Sequence, residues 1–492
     1  MTTLHFPWIE LAILLPLVAA PFIARTRDPE AARRQTSTVA FLTLLLATMV
    51  WLDFSTLNTF EADDNWSPVA RILGDHFLAV DELSAPLLPL TALLYALTIF
   101  ATPRTKIGRF SFGWSILGES IRMAVLSCKD PWGIIVLMAA GMIPPFMELR
   151  SRGRSTRIFT IHMGSCVALM VVGWLLVERS DPQNPSILGG GLLTAAVLLR
   201  SGVVPLHCWM TDLFENGSFG SSLLFVTPMV GAYAAVRLVL PIAPAWALHS
   251  IAILSLLTAV YAAGMAVVQT EARRFFCFLF LSHSSLIFVG LETVTPIGLT
   301  GALQVWLSVG LALGGFGLTL RSIEARTGRL SLVKYNGLFE HIPTQAAFFL
   351  LTGLASVGFP GTIGFVASEL LVEGAIGVYP SVGMAVVLAA ALNGIAIVRA
   401  YFHLFTGTRH MTTIPLVVRF REKLAILTLA ALIFGGGLVP QPGVASRYHA
   451  AAALIKTRRV PMTHPPTHEH QTQINTPSTH HLTESRVDLA ND

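Results

Sequence analysis

Fourteen apolar stretches separated by short polar loops govern what this chain can fold into. They fall at about residues 8–24, 37–52, 84–102, 112–127, 131–149, 158–177, 188–209, 222–241, 247–269, 275–291, 297–320, 345–361 continuing to 378, 381–404 and 423–440. A spanning helix needs about 20 mostly apolar residues, and inside hydrocarbon a helix satisfies its own backbone groups. The expected fold class is therefore all-α and integral to a membrane, with about 14 transmembrane helices. The fourth stretch departs most from the pattern, because Glu119 and Arg122 interrupt it. Composition supports the same solvent. Of 492 residues, 53% are hydrophobic and 12% charged, about half the charge of a soluble chain. That leaves too little polar surface to cover a water-soluble body.

The net charge is +5, which in a soluble protein would suggest nucleic acid. Here the basic residues occupy loops between apolar stretches, where they orient helices. The bilayer is the expected partner and nucleic acid is not. The odd-numbered loops are mostly basic: Arg25, Arg27, Arg33 and Arg34 in the first, Arg104, Lys106 and Arg109 in the third, and Arg150, Arg152, Arg154 and Arg157 in the fifth. Arg273 and Arg274 follow in the ninth, Arg321, Arg326 and Arg329 in the eleventh, and Arg409, Arg419 and Arg421 in the thirteenth. The second loop is acidic, with Asp53, Glu61, Asp63, Asp64 and Asp75. Basic loops face the cytoplasm, so both termini are expected outside a multi-pass inner (plasma) membrane protein. The seventh loop, with Asp212 and Glu215, and the cluster Lys456, Arg458 and Arg459 run against the pattern.

Cys128, Cys166, Cys208 and Cys277 are scattered, without CxxC or zinc spacing. No glycine-rich nucleotide motif follows a strand. No cofactor is expected on this chain, and no redox chemistry. The first apolar stretch lacks a basic leader and a small-residue cleavage site, so it is expected to remain as a helix. From about residue 456 the chain turns polar, with His464, His468, His470, His480 and His481. Such a segment cannot bury a core and is expected to be disordered. A histidine-rich tract can bind metal, but no ligand set is assigned.

Two stretches are interrupted. One reads Leu198-Leu199-Arg200-Ser201-Gly202-Val203-Val204-Pro205-Leu206-His207, the other Val357-Gly358-Phe359-Pro360-Gly361-Thr362-Ile363-Gly364-Phe365. Proline removes a backbone donor and crowds the preceding turn. The helix-break residues are Pro205, Pro360 and Gly361. The interruptions occupy the fourth position of two successive five-helix blocks, stretches four to eight and nine to thirteen. Matched interruptions point to inverted repeats with an ion path at the break; two ordinary proline kinks are the alternative. A charge at mid-membrane costs about 3 kcal/mol on insertion scales and persists where it is paired or hydrated. The ion-path candidates are therefore Arg200, His207, His283, Ser368 and Glu369, with Arg200 and Glu369 expected to face protein or water. Expected segments are 1–110 for the first three helices, 111–405 for the repeat core, 406–455 for the last helix and 456–492 for the tail.

Four stretches together resemble one family. Phe77-Leu78-Ala79-Val80-Asp81-Glu82-Leu83-Ser84 precedes the third helix, and Val204-Pro205-Leu206-His207-Cys208-Trp209-Met210-Thr211-Asp212 follows the first break. Val268-Gln269-Thr270-Glu271-Ala272-Arg273-Arg274 leads to Ser282-His283, and Phe359-Pro360-Gly361-Thr362-Ile363-Gly364-Phe365 marks the second break. In order and spacing, over about residues 75–405, the chain resembles the antiporter-like membrane subunits of respiratory complex I. These are shared with Mrp-type cation/proton antiporters, membrane-bound hydrogenases and DAB-type inorganic carbon transporters. The resemblance implies a proton path through acidic, lysine and histidine side chains. At the matching positions stand Ala139, Arg200, Met229, Val309 and Ser368, the last beside Glu369. Arginine does not release its proton near pH 7, so the usual route is expected to be degenerate.

The resemblance implies an antiporter-like membrane subunit of an NADH-quinone-oxidoreductase-type assembly, involved in proton or cation translocation coupled to electron transport. Its partners would be other membrane subunits, with a soluble protein as a further candidate. The alternatives are a membrane subunit of a DAB-type inorganic carbon or cation transport system, and a structural paralogue that kept the fold and lost the path.

Overall fold

Every one of the fourteen apolar stretches is helical in the structure, a computed structural model that describes residues 2–57, 59–63, 77–181, 184–377, 379–408 and 417–458. The histidine-rich tail beyond residue 458, and Asp64, Asp75, Arg409 and Arg459, lie outside the described residues. The first two helices are Trp8–Arg25 and Pro29–Leu57, followed by Leu87–Phe100 and Phe112–Ser127. The fifth stretch forms Pro131–Ala140 and Ile143–Ser151, the sixth Arg157–Glu178. The seventh and twelfth are each two helices about a break: Ile187–Ser201 with Cys208–Asn216, and Pro343–Ser356 with Ile363–Ile376. Ala245–Val268, Ala272–Thr293, Pro296–Thr327, Pro380–Phe405 and Phe420–Leu438 are continuous.

Among the described residues, nine helical segments are long and apolar enough to cross a membrane, or ten when the bent pair Phe420–Leu438 and Gln441–Lys456 is taken as one. The difference from fourteen lies in the third, fourth, seventh and twelfth stretches. Those helices are 14 to 16 residues long before a turn or break stops them.

The helix starts carry local instructions. Asp130 accepts a hydrogen bond from the Gly133 amide at 2.6 Å ahead of Pro131, and Thr295 accepts from the Gly298 amide at 3.1 Å ahead of Pro296. An N-cap acceptor satisfies one of the four orphan amides of a first turn, and proline tolerates the first helical position.

Helix Pro296–Thr327 is the axis of the packing. At 32 residues it is about 48 Å long, and it touches Leu87–Phe100, Ala272–Thr293, both halves of the second broken helix, Phe420–Leu438 and Gln441–Lys456. Its approach to Ile363–Ile376 depends on glycine. A Cβ on Gly301 would sit 2.5 Å from the Leu371 amide nitrogen, and one on Gly374 2.4 Å from the Gly298 Cα. Without a hydrophobic force between helices in lipid, such small-residue contacts carry the packing. Outward faces bear exposed Phe22, Leu257, Met384 and Leu427, as lipid contact requires.

Two features were not expected from sequence. A small sheet joins β1 (Thr2–Thr3), β2 (Glu61–Asp63) and β3 (Ala79–Asp81), with β1 parallel and β3 antiparallel to β2. The helix Gln441–Lys456 turns 78° from its predecessor. Its Arg447 is almost fully buried and donates to the Leu83 carbonyl at 3.1 Å and to that of Glu82.

Candidate functional site

The first break supplies its own hydrogen-bond partners. Ile187–Ser201 ends at Gly202, which has a φ of 73°. That conformation costs an L side chain about 1–2 kcal/mol and glycine almost nothing. Pro205 interrupts the ladder. The Trp209 indole donates to the Leu199 carbonyl at 2.9 Å, and the Val204 amide donates to the Thr258 hydroxyl at 3.1 Å. Trp209 therefore adds a donor to a carbonyl in the last turn of Ile187–Ser201.

This arrangement leaves Arg200 buried at the end of the helix. Its guanidinium stands 4.3 Å from the centre of the Phe225 ring and 5.5 Å from that of Trp209. The Arg122 guanidinium stands over the same Phe225 ring at 5.1 Å. Neither arginine has a carboxylate partner at salt-bridge distance among the described residues. Cation–π contact contributes about 2 kcal/mol when desolvated, less than a buried charge needs.

Two cavities complete the surroundings. One of about 20 Å³ is lined by Arg200, Ser201, Trp209, Met229, Gly231 and Ser284. The other, about 30 Å³, is lined by Tyr95, Ser115, Arg122, Glu148, Ser221 and Phe225. A water molecule needs roughly 10–15 Å³ by this measure and two to four polar partners, and both cavities meet these conditions. Glu148 is buried and accepts from the Arg152 guanidinium and the Ser218 amide, each at 3.0 Å. One turn before Arg122, Glu119 is fully buried, and neither of its oxygens has a hydrogen-bond partner among the described residues.

The expected site residues divide. Arg200 is interior, and so is His283, whose Nε2 has no hydrogen-bond partner among the described residues. Ser284, the next residue, lines the Arg200 cavity. His207 is half-buried at the break, with its ring 6.0 Å from Tyr261 and 5.8 Å from Phe278. Ser368 is half-buried and donates to the Phe365 carbonyl at 2.9 Å. Glu369 is exposed on the face of Ile363–Ile376 turned away from Pro296–Thr327, with Glu373 exposed one turn on. The close glycine contacts with Pro296–Thr327 fix which face of this helix points inward, and Glu369 is on the other.

Pro205 and Pro360 are exposed, and Gly361 has a φ of 84°. Met229 lines the Arg200 cavity and Val309 is buried, while Ala139 is half-buried. Met229 itself has a φ of 48°, at a kink between Phe219–Val226 and Val230–Ala234, and a π-helical turn follows at Ala235–Val239. Sequence reasoning missed this third interruption, although Pro228 signals it. It also passed over Glu119 and Arg122 as blemishes in an apolar stretch. Their three-residue spacing, which puts both on one helix face, was the available clue.

Outside the membrane-spanning segments, Asp81 of β3 accepts from Arg237, with contacts of 2.8 and 2.9 Å, and lies 3.4 Å from the Lys129 ammonium. Burial alone would raise its carboxyl, but these two cations outweigh burial and hold it well below the usual carboxylate range.

Residues 162–393, which include the first break, His283 and the whole of the second broken helix, match the family described as NADH:quinone oxidoreductase/Mrp antiporter, transmembrane. Over this region the chain is similar to that family of antiporter-like membrane subunits. It is 26% identical over 484 residues to an NAD(P)H-quinone oxidoreductase chain 4 of Nostoc sp., covering 90% of each chain. It is 28% identical over 394 residues to one of Synechococcus sp., covering 74% of each. Among solved structures, a chain of respiratory complex I from Thermus thermophilus is similar with a TM-score of 0.75 and 22% identity, over 91% of this chain and 99% of that one. A chain of the Mrp complex from Dietzia sp. gives a TM-score of 0.79 at 17% identity, over 92% and 98%. These likenesses establish the fold of a multi-pass membrane protein.

Proposed function

We propose that this chain is an antiporter-like membrane subunit of an NADH-quinone-oxidoreductase-type assembly. There it contributes to moving protons or cations by an altered route, with redox cofactors residing on other chains. The observation that carries the reading is the pair of water-sized cavities on either side of the Arg122, Phe225 and Arg200 cluster. A fold kept only as a scaffold gains nothing from holding two guanidinium groups beside polar cavities in its interior.

In this reading Arg122 and Arg200 are fixed positive charges. They orient water and stabilise transient negative charge without exchanging protons. Glu119, Glu148 and His283 are the groups able to take and release them. The outward Glu369 and Glu373 face a neighbouring membrane subunit. The segments at 1–110, 111–405 and 406–455 act as entry helices, repeat core and closing helix, with the two breaks in corresponding places of inverted repeats and both termini outside.

The test is to purify the tagged chain gently from native membranes, identify what accompanies it, and reconstitute the assembly in vesicles. Redox subunits should accompany it, and Glu119→Gln should lower coupled proton uptake at least tenfold with assembly unchanged. Wild-type uptake in that variant and in Arg200→Met would favour the structural paralogue. A soluble metalloprotein as the sole partner would favour the carbon-transport alternative.

A further inference from the structure

Three of the arginine-bearing loops converge. The helix Pro29–Leu57 begins, Leu87–Phe100 ends and Phe420–Leu438 begins around a cavity of about 340 Å³, far larger than either cavity beside Phe225. Arg33, Arg34, Arg104, Arg419 and Arg421 line it against two carboxylates, Glu30 and Glu422.

Both carboxylates are already engaged. Glu30 is held by Arg33, with Arg34 at 3.9 Å. Glu422 accepts two hydrogen bonds of 2.8 Å from Arg326, and a third from the Ser322 hydroxyl. Arg104, Arg419 and Arg421 have no carboxylate partner among the described residues. Cations gathered around a shared hollow repel one another unless an anion fills it.

Two further features refine the anion. Helix Phe420–Leu438 starts at Arg419 without a side-chain cap, so amides of its first turn and its positive end add to the field. Phe100 and Phe420 form an aromatic wall, with Phe420 75% exposed and the Arg421 guanidinium 5.5 Å from the Phe100 ring centre. A charged hollow beside exposed aromatic surface suits a ligand that is anionic at one end and apolar at the other. Orienting helices requires basic loops, but it requires neither a common cavity nor three loops meeting at one.

We infer that this cavity is a binding site for the phosphate headgroup of an anionic phospholipid, held by Arg104, Arg419 and Arg421. Basic pockets between transmembrane helices recognise such headgroups. A free phosphate would satisfy the same donors, and the aromatic wall is the reason for choosing the lipid.

The test exchanges the purified full chain into mild detergent with equal phosphatidylglycerol and phosphatidylcholine, and measures retained lipid by native mass spectrometry. The parent should retain phosphatidylglycerol at least tenfold over phosphatidylcholine. Arg104→Gln/Arg419→Gln/Arg421→Gln should abolish that preference, while Arg150→Gln/Arg154→Gln/Arg157→Gln, in another basic loop, should leave it intact. The single exposed variant Arg104→Gln, monodisperse on gel filtration, should weaken retention at least threefold should the triple variant misfold. Equal retention by parent and variants, or equal loss in the control, overturns the site. A melting temperature raised by millimolar inorganic phosphate in the parent alone, with no lipid retained, overturns the lipid assignment in favour of free phosphate.

Discussion

Around the break at residues 202–207 the buried polar side chains include charged groups: Glu119, Arg122 and Arg200, with Glu148 across the adjoining cavity. Around the break at 357–362 they are neutral: Gln304, Ser308, Thr352 and Asn393. The carboxylates of that second region, Glu369 and Glu373, point outward. Both regions use one backbone device, a helix stopped by a glycine of positive φ with a proline two or three residues on. The device opens a helix inside a membrane, and the side chains then decide what the opening does. Charged groups hold water and create a field; neutral ones provide hydrogen bonds without a fixed charge.

The largest expected effect contrasts the paired charge at Asp81 with the unpaired charge of the first region. Asp81→Asn leaves Arg237 without its carboxylate and should destabilise the chain by about 3 kcal/mol, read by thermal unfolding in detergent. The folded-state pKa of Asp81 is depressed, so its contribution is complete above the unfolded carboxylate value. It is lost only as pH falls through the much lower folded value. The difference between parent and variant should therefore stay constant from pH 8 to pH 5. A difference that shrinks over that interval would show that the ion pair is not what Asp81 contributes.

Arg200→Met should have the opposite sign. With no carboxylate left unpaired by the change, removing a buried charge should raise stability by about 2 kcal/mol while lowering proton uptake in the reconstituted assembly. Destabilisation would mean that Arg200 has an acidic partner, and the contrast with Asp81 would fail.

In the second region, Glu369→Gln/Glu373→Gln should leave the melting temperature of the isolated chain unchanged, because both side chains are exposed. Retention of the neighbouring subunit on copurification should fall about tenfold, or about 1.4 kcal/mol. Unchanged retention would remove the carboxylates from the interface. The smallest effect belongs to the neutral network. Asn393 donates to the Ser282 hydroxyl, which donates to the Ala259 carbonyl, each at 2.8 Å. Ser282→Ala should cost about 1 kcal/mol by the same melting measurement and leave proton uptake near the parent's. A large loss of uptake would place this pair on the route and erase the distinction between the two regions.

The sequence by itself determined the solvent, the helical class and the places where helices stop. Each of these depends on local composition: an apolar run long enough to cross hydrocarbon, or a proline and glycine that cannot continue a helix. It also marked Arg200 as interior, since long apolar runs flank it. What only the tertiary structure decided is direction. Glu119 and Glu369 are both carboxylates in apolar helices, yet one is fully buried and the other exposed. Glycine contacts with a helix distant in sequence turned Glu369 outward. Arg122 and Arg200 lie in separate helices, and Phe225 from a third brings them together. Rotation about a helix axis is set by the neighbours a helix packs against, and no single stretch of sequence contains its neighbours.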